Sequence, residues 1–63
     1  MTNPVTAQAI REAMKEKPSF YIYAMDSKLR ESRIYAVKTK HGLVYGKALN
    51  TGKWFVIHSW DQR

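Results

Sequence analysis

The sequence predicts an α+β domain in which one N-terminal helix packs on a four-stranded antiparallel β-meander. Three observations lead there. An apolar stripe at helical spacing runs from Val5 to Met14 and is followed by Pro18. From residue 19 that periodicity gives way to runs of strand-forming residues. Two turns of the same form, Lys40-His41-Gly42 and Asn50-Thr51-Gly52, then separate the later runs. An SH3-like small barrel is the alternative arrangement of the same elements.

The helix is expected over 4–17. Asn3 is placed to cap it, and Pro4 suits the first helical position, where a missing N–H costs nothing. Val5, Ala9, Ile10, Ala13 and Met14 share one face, while Gln8, Arg11, Glu12, Lys15 and Glu16 lie mostly away from it. Pro18 stops the helix. The strands are expected over 20–25, 33–39, 43–49 and 53–60, with a polar loop between the first two.

Glycine in third place suits a three-residue hairpin loop, whose last residue is left-handed. That loop length pairs Thr39 with Leu43 and Leu49 with Lys53. One sheet face then carries Arg33, Tyr35, Val37, Leu43, Tyr45, Lys47, Leu49, Lys53, Phe55 and Ile57. The other carries Ile34, Ala36, Lys38, Val44, Gly46, Ala48, Trp54, Val56, His58 and Trp60. Small Gly46 and Ala48 would let the helix approach this second face, with Trp54 and Trp60 as flanking anchors. The first face is left without a cover. A barrel closing on itself, a homodimer or a bound ligand would each cover it.

With 63 residues there is room for one domain, and such a domain buries only about 60% of its unfolded surface. There is no cysteine, which excludes a disulfide framework and a thiolate metal site. A hydrophobic content of 44% is too high for a disordered basic tail. No apolar stretch resembles a signal-peptide core or a membrane span, so a soluble cytoplasmic protein is expected.

Eleven Lys and Arg against five Asp and Glu give a net charge of +6. Residues 28–53 contain seven of the bases and only one acid, Glu31, so the whole excess belongs there. A phosphate backbone rewards such clustering, because each neutralised phosphate releases condensed counterions. Tyrosines among the bases can stack on exposed nucleobases.

The expected function is therefore a non-enzymatic nucleic-acid-binding regulator, with DNA ahead of RNA. The contacts are assigned to Arg30, Arg33, Lys38, Lys40, Lys47, Lys53, Tyr35 and Tyr45. The arginines have a planar fork suited to guanine edges or phosphate, and the lysines suit phosphate. An acidic protein partner for the same surface is the main alternative. The helix is nearly neutral and has no helix-turn-helix companion, so it is a poor recognition helix.

A ribonuclease using His41 or His58 as acid–base is a weaker reading, since His41 in a turn is expected to be merely exposed and His58, on the strand face of Trp54 and Trp60, to be a packed strand residue. Two isolated histidines do not make a metal site, and no cofactor is expected. Gly42, Gly46 and Gly52 are spaced for turns and close packing, which is not the pattern of a phosphate-cradling loop.

Overall fold

The computed structural model describes residues 3–16 and 22–63. A single helix, α1 (Ala7–Glu16), precedes five strands: β1 (Ile22–Met25), β2 (Glu31–Lys40), β3 (Leu43–Ala48), β4 (Trp54–Val56) and β5 (Ser59–Gln62). They form one antiparallel sheet in the order β4-β3-β2-β1-β5. The α+β class holds, with five strands in place of four. The proposed helix stop at Pro18 and the strand start at Phe20 and Tyr21 lie outside the described residues.

α1 begins later than its sequence suggests. The hydroxyl of Thr6 accepts the Ala9 N–H at 3.1 Å, so Thr6 is the N-cap, and Asn3 and Pro4 precede the helix. Ala7, Ile10 and Ala13 form its buried edge and pack on β1 and β2. Both ends are tied to β5. Trp60 donates its Nε1–H to the Pro4 carbonyl at 2.8 Å, and Asn3 Nδ2 donates to the Trp60 carbonyl at 3.0 Å. Gln62 donates to the Ala13 carbonyl in the last described turn of α1 at 3.2 Å. Trp60 and Gln62 are two residues apart and therefore reach the helix from one face of β5.

The expected strand over 53–60 is two strands on opposite edges of the sheet. β4 pairs with β3 and β5 pairs with β1, and only Ile57 and His58 separate them. Three residue steps span at most about 11 Å. The edges of a flat five-stranded sheet lie about 19 Å apart or more. The sheet must therefore curl until its edges approach. Backbone bonds hold the crossing, from Ile57 N–H to Val44 O at 2.9 Å and from His58 N–H to Met25 O at 2.8 Å.

Both hairpin registers differ by one residue from those expected. The first turn is a two-residue loop, with Lys40 opposite Leu43 and both His41 (φ 53°) and Gly42 (φ 76°) left-handed. That is the type I′ geometry whose twist matches the flanking strands. The second loop holds four residues: Ala48 N–H donates to Lys53 O at 2.9 Å and Gly52 N–H to Ala48 O at 2.8 Å. A one-residue slip exchanges the faces, so Phe55 lies opposite Gly46 and Trp54 opposite Lys47.

A β-bulge completes the pattern. Ile34 pairs with Ala48 and Ala36 with Lys47, leaving Tyr35 as the extra residue. Ile34 and Val37 are three positions apart and would face opposite ways in a regular strand. The bulge lets both enter the core, where they join Ile10, Ile22, Ala24 and Ile57. Gly46 is not a landing site for the helix. An added Cβ would meet Ile57 Cδ1 at 2.9 Å and Ile34 Cγ2 at 3.0 Å, so the curled sheet closes on itself there.

Candidate nucleic-acid interface

With the helix and the curl occupying the inner face, the outer face of β2, β3 and β4 carries the exposed chemistry. On β3, Gly46 and Ala48 are buried, which turns Tyr45 and Lys47 outward. Lys38 pairs with Tyr45 and Ala36 with Lys47, so they share that outer face. Trp54 and Val56 lie opposite Lys47 and Tyr45 and extend it onto β4. Tyr35 is pushed outward at the bulge and is 49% exposed, while Trp54 is 38% exposed.

Lysines and rings interlock in this patch. The Lys38 ammonium sits 4.2 Å from the centroid of the Trp54 ring. The Lys47 ammonium lies 5.7 Å from Trp54 and 5.8 Å from Tyr35, bridging the two rings. Each such cation–π contact contributes about 0.5–1 kcal/mol at an exposed site. The arrangement keeps two positive charges beside two accessible aromatic faces.

Four of the eight residues singled out in the sequence are thus brought together: Tyr35, Lys38, Tyr45 and Lys47. Lys40 continues the alternation of Lys38 to the end of β2, beside the hairpin tip. Arg33 pairs with Tyr23 on the β1 side of the sheet, away from β4. Lys53 precedes Trp54 and alternates away from it, at the β3–β4 turn.

Arg30 is at the opposite end of β2 from Lys40, in the β1–β2 loop. Asp26 holds that loop. Its Oδ1 accepts the N–H groups of Lys28 (2.9 Å) and Arg30 (3.0 Å), and its own N–H donates to the Arg30 carbonyl at 3.1 Å. Hydrogen bonding from the Arg30 backbone, helped by that of Lys28 and by the positive charges of both residues, holds the Asp26 carboxyl below its ordinary pKa against a smaller opposing effect of burial.

Trp54 is the member of the patch that sequence reasoning assigned elsewhere, to the helix-facing core. Trp60, its partner in that assignment, does pack against the core. Phe55 takes the inward place expected of Trp54. Only the loop length of the β3–β4 turn distinguishes the two assignments, and Asn50-Thr51-Gly52 accommodates either.

The outer face changes character toward β5. There Tyr23, Met25, Glu31, Ser59, Asp61 and Arg63 border a shallow cavity of about 160 Å³. Arg63 forms a two-pronged pair with Glu31, one prong at 2.8 Å, and lies 3.3 Å from Asp61. Its guanidinium carbon is 4.6 Å from the Tyr23 ring centroid. The hydrogen bond to Glu31 is the main cause holding the Arg63 pKa above its ordinary value. The positive charge of Arg63 is matched here by Glu31 and Asp61.

His41 sits at the β2–β3 tip and His58 in the β4–β5 link, both exposed. Among the described residues no three His, Asp or Glu side chains are grouped as metal ligands would be. No described helix is long and apolar enough to cross a membrane. No protein-family model matches the chain, and neither does any curated protein or solved structure.

Proposed function

We propose that this chain is a small, non-enzymatic nucleic-acid-binding regulator that uses the outer face of β2, β3 and β4. The observation that carries this reading is the interlocked set of Lys38, Lys47, Tyr35 and Trp54, whose ammonium groups and exposed rings meet on one surface. Phosphates reward the lysines, and bases reward the rings. Lys40 extends the positive edge toward the hairpin tip, while Arg30, Arg33 and Lys53, set away from the patch, add to the positive charge of the domain as a whole. The curled sheet with its edges drawn together is read as a small open barrel of the SH3-like kind. An acidic protein partner would use the same charge, with Trp54 and Tyr35 as anchoring side chains, and the binding test separates the two readings.

The test is binding of random DNA and RNA oligonucleotides, single-stranded and duplex, across a salt series. Binding at low salt should weaken linearly on a logarithmic plot as salt rises. Lys38→Ala together with Lys40→Ala should weaken binding for all sequences and reduce the slope by about 2. Absence of binding to every oligonucleotide at low salt would refute the proposal.

A further inference from the structure

We infer that the ligand of this face is single-stranded, with bases stacked on Trp54 and Tyr35 and phosphates drawn to Lys38 and Lys47. The inference rests on the nucleic-acid reading above and narrows it.

Shape argues first. The domain measures 26 × 23 × 21 Å, and its outer face is the convex side of a curled sheet. A major groove about 12 Å wide admits a helix or a two-stranded ribbon but not this broad face. The helix is packed on β1 and β2, and its charged residues, Arg11, Glu12, Lys15 and Glu16, sum to zero. The β2–β3 hairpin is not a free ribbon either, because β4 pairs along β3 from Tyr45 and the Ile57 N–H reaches Val44. The elements that could read a groove are thus occupied by the fold.

Side-chain chemistry argues second. Phosphate contacts to a duplex need lysines and arginines, and they do not need an exposed tryptophan. Here one ammonium, that of Lys47, lies within 6 Å of both rings, so the rings belong to one site. Unpaired bases present flat π-faces to such rings, whereas bases inside a duplex are already stacked on each other. The Lys38 ammonium covers one face of Trp54 in the free protein. Stacking of a base on tryptophan outweighs an exposed cation–π contact. A strand arriving at the patch can therefore draw Lys38 onto a phosphate and put a base in its place.

The experiment titrates the full chain with a 12-nucleotide oligo-dT, a 12-nucleotide oligo-U and a 12-base-pair duplex at one low salt concentration. Tryptophan fluorescence and anisotropy are both recorded. The single strands should bind more tightly than the duplex and change the tryptophan signal. Trp54→Ala should weaken single-strand binding about tenfold or more and leave duplex binding within about twofold. Lys38→Ala should lower the salt slope by about 1 while the fluorescence change persists. Trp54→Ala is checked for folding by circular dichroism, and Tyr35→Ala serves as the second variant should it unfold.

Comparison of the dT and U arms separates DNA from RNA within the same chemistry. If the duplex binds as tightly and both ring variants leave single-strand binding unchanged, the single-strand inference is overturned while nucleic-acid binding stands. If no oligonucleotide binds at low salt, both fall and an acidic protein partner becomes the leading explanation.

Discussion

Replacing Gly46 by alanine adds a methyl group where the two halves of the curled sheet meet. Its Cβ would lie 2.9 Å from Ile57 Cδ1, 3.0 Å from Ile34 Cγ2 and 3.2 Å from Ile57 Cγ1. Carbon atoms in contact prefer about 3.5–4.0 Å, so all three approaches are too short. The Ile57 Cδ1 atom is a flexible tip, but Ile34 Cγ2 sits on a branched carbon held by the bulged strand. Such overpacking costs about 1–3 kcal/mol. Gly46 does not need a left-handed backbone, so alanine regains about 0.4–1 kcal/mol by narrowing the unfolded ensemble.

The net expectation is a loss of about 1–2 kcal/mol. For a domain of this size that lowers Tm by roughly 5–15 °C. Thermal and urea unfolding followed by circular dichroism would measure it. Ile57→Val removes Cδ1, the nearest clashing atom, at a cost of about 0.5–1.5 kcal/mol by itself. Combined with Gly46→Ala it should cost less than the two separate losses together, by about 0.5 kcal/mol or more. A Gly46→Ala protein as stable as the parent, or strictly additive losses, would show that the sheet does not close over Gly46 as described.

Two further substitutions test local features of the fold. Thr6→Ala removes the N-cap of α1 and should cost about 1 kcal/mol, seen as a fall in the urea midpoint, whereas Asn3→Ala should cost less because Asn3 caps nothing. Asp26→Asn keeps an oxygen that can accept the Lys28 and Arg30 N–H bonds but removes the charge. The Asp26 pKa is depressed by folding, so its contribution is fully present above the unfolded value of about 3.9 and is lost as pH falls through the lower folded value. Urea midpoints of parent and Asp26→Asn should accordingly differ at pH 7 and converge in strong acid. A difference independent of pH would remove the carboxylate from the account of the loop.

The helix face and the strand-rich runs are legible in the sequence because Ile10, Ala13 and the β-branched runs carry the periodicity of their elements. The hairpins are legible too, since Gly42 and Gly52 both have positive φ. Loop length is not legible. A two-residue turn requires His41 to be left-handed as well, and a histidine does not announce that conformation as Asn-Gly would. The bulge at Tyr35 has no glycine to mark it. The Ile57-His58 crossing contains neither Gly nor Pro, and only pairing with β1 reveals where β4 ends. The loop lengths and the bulge each shift the pairing by one residue, and in a sheet one residue is enough to turn a side chain from core to surface. That is why the lysines of the patch could be named from sequence while Trp54 was placed inside.

The exposure of Trp54 is the informative cost in this fold. Burying a large aromatic side chain is among the most favourable contributions available to a small domain. The inner face instead takes Phe55, Ile57, Ile34 and Val37, while Trp54 and Tyr35 stay on the surface with lysines over or beside their rings. The other half of the same outer face shows what a structural use of such residues looks like. There Tyr23 lies under Arg63, which Glu31 and Asp61 neutralise. On the β4 side the cations that meet the rings belong to Lys38 and Lys47, and no carboxylate among the described residues forms an ion pair with either. The cation–π contacts of Lys38 and Lys47 return part of the cost of exposure, but solubility alone calls for the lysines and not for the rings. A surface that meets phosphates and unstacked bases together would use both.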